Sequence, residues 1–295
     1  MGKDANLKWH QRWYKCIKTM PENLKVGEVD ISRVSKAAKH LPSKVMAVAC
    51  EGLHTRQVEF GFGLQKAPSG RQAWMKPQHF ITLSQKFFND LDMIPKVRQS
   101  SNHPRQNEQR AKAVTRALLR AVYKELHIAR FAGLDDMTVL RETTSTFFPM
   151  RYMDDRKVRN VRCVARSDYA FHFGEKEAEA VNLVVIQVKC GGFCSTADGQ
   201  ILTYMAMAWA ARKRRNQTDC TIYGCLIDSR EFRFFQISHD GLWSQTILLM
   251  SLYADLRLGI NTAANYLVYF LKHGLDTHSA SHDGVPTSTH DRCVS

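Results

Sequence analysis

The run Leu183-Val184-Val185-Ile186-Gln187-Val188-Lys189 restricts the fold of this chain more than any other segment. Four aliphatic residues in succession leave no polar face, so a strand built from them must be covered on both sides. A sheet covered on both sides is the middle of three layers. The helical pattern of residues 197–213, directly after the run, supplies one covering element. Alternate residues of a strand share a face, which puts Val185, Gln187 and Lys189 on one side and Val184, Ile186 and Val188 on the other. An amide and an ammonium on a buried strand cost free energy unless something polar meets them.

The remaining segments arrange themselves around this run. The breaker Ser100-Ser101-Asn102-His103-Pro104 is the clearest boundary. It predicts an N-terminal α+β region over 1–100, a main domain over 101–275 and a disordered tail over 276–295, rich in Ser, Thr, His and Asp. Within the first region, 45–50 and 57–64 read as strands and 82–92 as a short helix. A long helix is predicted over 106–131, with an apolar stripe of Val114, Leu118, Val122 and Ala129 on which Glu125 also falls. Strands follow at 143–153, 161–173 and 181–189. After the 197–213 helix come strands at 220–227 and 231–237, then one or two helices over 248–272.

Composition narrows the class of partner. Hydrophobic residues make up 44% of the 295, enough for a substantial core, and 42 Lys and Arg face 28 Asp and Glu, a formal charge of +14. Such an excess favours acidic partners through long-range attraction and counterion release. It is concentrated in 96–166, where 16 basic residues face 7 acidic ones. The eight cysteines form no CxxC pair. They read as reduced thiols, and with no apolar leader in the first twenty residues the expected location is intracellular, nucleus or cytoplasm. No apolar run reaches the roughly 18 residues of a membrane span, so no membrane partner is expected.

Asp168 lies on the strand preceding the central run, sharing a face with Arg166 and Ala170. If the two strands pair, Asp168 and Gln187 reach a common point. A carboxylate and an amide oxygen suit a hard cation such as Mg²⁺ or Mn²⁺, and Lys189 beside them would stabilise charge developing on a phosphate. Gln200 and Tyr204, one helical turn apart, are placed to hold a bound strand or Lys189 by hydrogen bonds. Arg212, Lys213, Arg214 and Arg215 close that helix. They read either as a solvated end that complements the helix dipole or, together with Arg166, as contacts to a nucleic-acid backbone.

The order helix, three strands, helix, strand, carrying Asp168, then Gln187-x-Lys189, then Gln200-x-x-x-Tyr204, resembles the PD-(D/E)XK nuclease superfamily over about residues 105–272. The Gln200 and Tyr204 pair is similar to that of RecB-type members. Ser167-Asp168-Tyr169, Tyr223-Gly224 and Phe232-Arg233-Phe234 resemble fungal nuclease-like domains. The resemblance implies an α/β fold with a restriction-endonuclease-like αβββαβ core, a central mixed sheet flanked by helices. It also implies metal-dependent hydrolysis of phosphodiester bonds, in DNA rather than RNA. In that reading Asp168 binds Mg²⁺ or Mn²⁺, Gln187 stands at the usual acidic position and Lys189 is the catalytic lysine. An acidic residue on the first helix, Glu108 or Glu125, completes the site. Gln187 is a departure: one negative charge fewer weakens cation binding. The alternative is therefore an inactive nuclease-fold domain that binds nucleic acid or a protein partner.

Overall fold

In the computed structural model the described residues are 47–68, 74, 79–92, 104–128, 137–154, 157–173, 182–188, 195–227, 231–252 and 255–282. The run singled out above is strand β5 (Asn182–Val188), in the middle of an eight-stranded mixed sheet. The other strands are β1 (Ala47–Ala49), β2 (Gln65–Lys66), β3 (Met137–Asp154), β4 (Lys157–Phe173), β6 (Ile222–Ile227), β7 (Glu231–Ile237) and β8 (Leu242–Leu249), in the order β1-β4-β5-β6-β7-β8-β2 with β3 paired to β4. β3 follows β4 antiparallel from Met137↔Phe173 to Asp154↔Lys157. β5 is antiparallel to β4 and parallel to β6.

Helices cover both faces, as the apolar run demanded. The described helices are α1 (Thr55–Phe62), α2 (Gln85–Asp92), α3 (Pro104–Ile128), α4 (Ser195–Arg214) and α5 (Leu256–His282). On one face Tyr223, Cys225, Ile227, Phe232 and Phe234 pack with residues of α2, α3 and α5. On the other, Ile222, Leu226, Phe235 and Ile237 pack with α1 and α4. The strict alternation along β6 and β7 is the period-2 signature of strands with apolar layers on both sides.

Residues 46–295 form one compact unit, so the boundary expected at 100 does not divide the fold there. β1 pairs with β4 and β2 with β8, placing residues 47–49 and 65–66 in the same sheet as the core strands. Asn265 of α5 holds the 80–81 segment through its side chain: Oδ1 accepts from the Phe80 and Ile81 amides at 2.6 and 2.9 Å, and Nδ2 donates to the Ile81 carbonyl at 2.9 Å.

Three local expectations change. Residues 57–62 belong to helix α1, not to a strand. Val58, Phe60, Phe62 and Leu64 alternate as in a strand, but local caps override that period. Gln57 Oε1 accepts from the His54 amide at 2.9 Å, and Gly63 closes the helix at φ 73°. β8 takes up 242–249, the last two residues of which read as helical. Its hairpin turn runs through Asp240-Gly241, with Gly241 at φ 80°. α5 continues through His282, so helix covers the first part of the expected disordered tail.

Candidate functional site

β4 and β5, which carry the first two site residues, pair antiparallel. Tyr169 pairs with Ile186, and continuing the antiparallel register by one step would set Asp168 opposite Gln187. Gln187 in turn pairs with Leu226 of β6. The Asp168 carboxylate is 20% exposed and lies 3.7 Å (Oδ1 to Nζ) from the Lys112 ammonium on α3. One turn further along α3, Arg116 Nε donates to the Tyr169 hydroxyl at 3.1 Å. Helix α3 is thus fastened to β4 by two basic side chains at the candidate carboxylate. The sequence reading passed over both. Their signal was the i, i+4 spacing inside the basic 96–166 stretch, upstream of Asp168.

The orientation of α3 decides between the two acidic candidates. Its buried stripe is Ala111, Thr115, Leu118, Leu119, Val122 and Leu126. Glu125 is half-buried at the margin of this stripe rather than on it. It stands thirteen residues beyond Lys112 in one continuous helix, about 20 Å along the axis and on the far side. That removes it from the reach of Asp168. Glu108 is one turn before Lys112, so position favours it. Its side chain, like those of Arg166 and Gln187, is outside the described residues, as is Lys189 entirely. Among the described residues no three His, Cys, Asp or Glu side chains cluster as metal ligands.

Gln200 and Tyr204 are placed differently from expectation. Every residue from 199 to 208 is buried; Gln200 is 3% exposed and Tyr204 1%. α4 therefore has no open face over these turns, because α1 covers the side away from the sheet. Neither residue can touch a bound strand directly from such positions; the alternative contact, Lys189, lies outside the described residues. Gly199 makes this packing possible: a Cβ there would lie 1.9 Å from the Leu53 carbonyl oxygen.

The start of α4 carries a charged cluster absent from the sequence reading. Arg233 Nη1 on β7 donates to both Asp198 oxygens, at 2.9 and 3.0 Å, while its Nη2 lies 2.8 Å from Glu231 Oε1. Burial raises the Asp198 pKa, and the Arg233 charge and hydrogen bonds oppose that shift. The pair pins the first turn of α4 to β7, with a carboxylate at the positive end of the helix dipole.

No known protein-family profile matches the chain, and neither does any curated protein sequence.

The basic cluster at the other end of α4 splits in two. Arg212 is 2% exposed, and its Nη1 donates to the Thr221 and Asp219 carbonyls at 2.9 and 3.4 Å. It is a structural cation rather than a nucleic-acid contact, which corrects the expectation from sequence. Burial lowers its pKa to about 10, still leaving it protonated at neutral pH. Arg212→Met keeps the aliphatic stem but takes the guanidinium donor away from the buried Thr221 carbonyl. It is expected to cost about 3 kcal/mol in urea unfolding, whereas Arg214→Met at an exposed position should change stability by less than about 0.5 kcal/mol. Equal effects would contradict the burial of Arg212. Lys213 lies 2.9 Å from His239 Nε2, and Arg214 and Arg215 are exposed.

His172 follows Asp168 on β4. Its Nε2 is buried with no hydrogen-bond partner among the described residues, and burial lowers its pKa to about 4. The unfolded chain binds this proton near 6.5, so protonation favours unfolding. Stability present above that pH is lost as pH falls toward 4, by about 2 kcal/mol at about pH 5. His172→Asn should remove this dependence. Denaturation midpoints measured for both chains at neutral and mildly acidic pH test it, and parallel pH profiles would refute it.

Proposed function

We propose that the chain is a metal-dependent nuclease that hydrolyses phosphodiester bonds, in DNA rather than RNA. The reading is carried by Asp168, a partly exposed carboxylate on β4 opposite position 187 in the continued register, beside a lysine of the preceding helix. The element order α3-β3-β4-β5-α4-β6 and its antiparallel, antiparallel, parallel pairing support a restriction-endonuclease-like core.

The donor chemistry fits a hard cation. A carboxylate that is reachable by solvent offers an oxygen ligand and leaves room for water. Asp168 and Gln187 would hold Mg²⁺ or Mn²⁺, with Glu108 as the carboxylate of the first helix. When bound, such an ion acidifies a coordinated water and offsets phosphate charge. Lys112 orients Asp168 and adds a fixed positive charge next to it. Lys189 would stabilise charge on the phosphate as the bond breaks. Gln200 and Tyr204 act from within the protein, stiffening the layer behind the site.

One observation favours a second reading. A protein ammonium already stands beside the Asp168 carboxylate, and position 187 carries no charge. Such a site suits a nuclease-fold domain that binds nucleic acid without cutting it. The purified chain incubated with supercoiled plasmid, linear DNA and single-stranded RNA, with Mg²⁺, Mn²⁺ or a chelator, separates the readings. Cleavage of DNA with either ion and none with chelator is expected. Salt-sensitive binding without cleavage under any condition would move the assignment to the second reading.

A further inference from the structure

Between Lys112 and His127 the face of α3 that points away from the core is basic. Arg116, Arg120, Lys124 and His127 are exposed, Tyr123 is 40% exposed, and Lys112 is 27% exposed at its side chain. At 3.6 residues per turn these six positions fall within an arc of about 120°. Glu125, the one acidic residue between 109 and 127, lies outside that arc. The opposite face is the buried stripe, so the helix separates apolar packing from positive charge. The rings of Tyr123 and His127 are stacked, with centroids 6.4 Å apart and planes 14° from parallel. The stripe starts at Asp168, through Lys112, and extends about 22 Å to His127.

We propose that this face of α3 is the track along which a single nucleic-acid strand reaches Asp168, its phosphates on Lys112, Arg116, Arg120 and Lys124 and an unpaired base on the Tyr123–His127 pair. The inference deepens the nucleic-acid reading above and rests on it. Charge complementarity identifies the occupant. A row of cations at one-turn intervals matches a polyanion. An exposed aromatic pair matches a base face that a duplex keeps stacked. The track differs from the Arg212–Arg215 cluster, of which Arg212 is buried.

Binding of a labelled single strand of about 16 nucleotides, measured against salt in the presence of chelator, tests the proposal. Chelator keeps binding separate from cleavage. Arg120→Gln/Lys124→Gln removes two phosphate contacts. Its slope of log K against log salt should shrink by about 1.4, with affinity about 25-fold lower at about 0.1 M salt. Tyr123→Ala should weaken single-strand binding about tenfold or more with the slope unchanged. Arg214→Gln/Arg215→Gln should alter both much less. Circular dichroism melts confirm that each variant is folded. An unchanged slope in the α3 double variant, or a Tyr123→Ala chain that binds like the parent, overturns the track. Those outcomes alongside intact cleavage leave the nuclease reading standing. Loss of binding in the α3 variants of a chain that never cleaves sinks the nuclease reading alone.

Discussion

Asp168→Asn is expected to reduce Mg²⁺- or Mn²⁺-dependent DNA cleavage by at least about 10³-fold in kcat/KM, corresponding to roughly 4 kcal/mol of lost transition-state stabilisation. The substitution keeps the shape of the side chain and removes the negative charge that a hard cation requires. Its hydrogen-bonding capacity beside Lys112 survives, so the thermal midpoint should move little. Single-strand affinity should be retained or increase, because a charge that repels phosphate is gone. Lys189→Ala should show the same separation of cleavage from binding. Cleavage by Asp168→Asn at the parent rate would remove the proposed chemistry. A midpoint that collapses together with activity would indicate a structural ion pair instead. The assay therefore includes both readouts.

Gly199→Ala is expected to destabilise the chain by about 3 kcal/mol. Helix propensity alone predicts the opposite, a gain of about 1 kcal/mol for replacing Gly inside a helix. The structure sets the sign. A Cβ at 199 would meet the Leu53 carbonyl oxygen at 1.9 Å and the Leu53 and His54 carbonyl carbons at 2.8 and 3.0 Å. All three are backbone atoms, so no rotamer change relieves the overlap. Either α4 moves off the Cys50–Gly52 turn and its following residues, or that segment shifts away from β4, to which β1 is paired. Both open the cluster around Leu53, Ile201 and Tyr204. Gly52→Ala is the matched control, since no described atom comes within 4 Å of a Cβ there. Urea midpoints for the two variants decide the matter. A Gly199→Ala chain as stable as the parent would show that α4 does not lie this close to residue 53.

The effect of position 199 spreads to the site because α4 is clamped at the same turn by the Asp198–Arg233 pair. A displaced α4 would carry Gln200 and Asp198 with it, and α4 packs on β5 through the same layer. Loss of activity in Gly199→Ala is therefore expected to accompany the loss of stability, unlike the pattern for Asp168→Asn.

Local signals in the chain were sufficient for the backbone of the fold. The aliphatic run at 183–186 required a central strand with layers on both sides, and β5 with α4 on one face and α3 and α5 on the other is that arrangement. The order from α3 to β6 followed from alternating periods in the sequence. That the strands carrying positions 168 and 187 pair as neighbours was also legible, because sequential strands of this kind pair in the sheet. That residues 47–49 and 65–66 join the core sheet escaped the sequence reading, because β1 and β2 are three and two residues long. Pairing with β4 and β8 fixes such short strands, and no period of their own reveals it.

The side-chain environment of the site was decided by tertiary packing. Arg212 looked like its three basic neighbours in sequence, yet the position of 219–221 turned it inward onto two carbonyls. Gln200 and Tyr204 looked like one face of an amphipathic helix, until α1 packed on the side away from the sheet and buried both. Lys112 and Asp168 meet although 56 positions separate them, because α3 crosses β4 at that point. Periodicity is a property of neighbours along the chain, so the sequence by itself determined which elements form and their order. Contacts between elements depend on crossing angles and registers that arise only when the layers pack together. Which charges stay at the surface and which face a carbonyl was settled there.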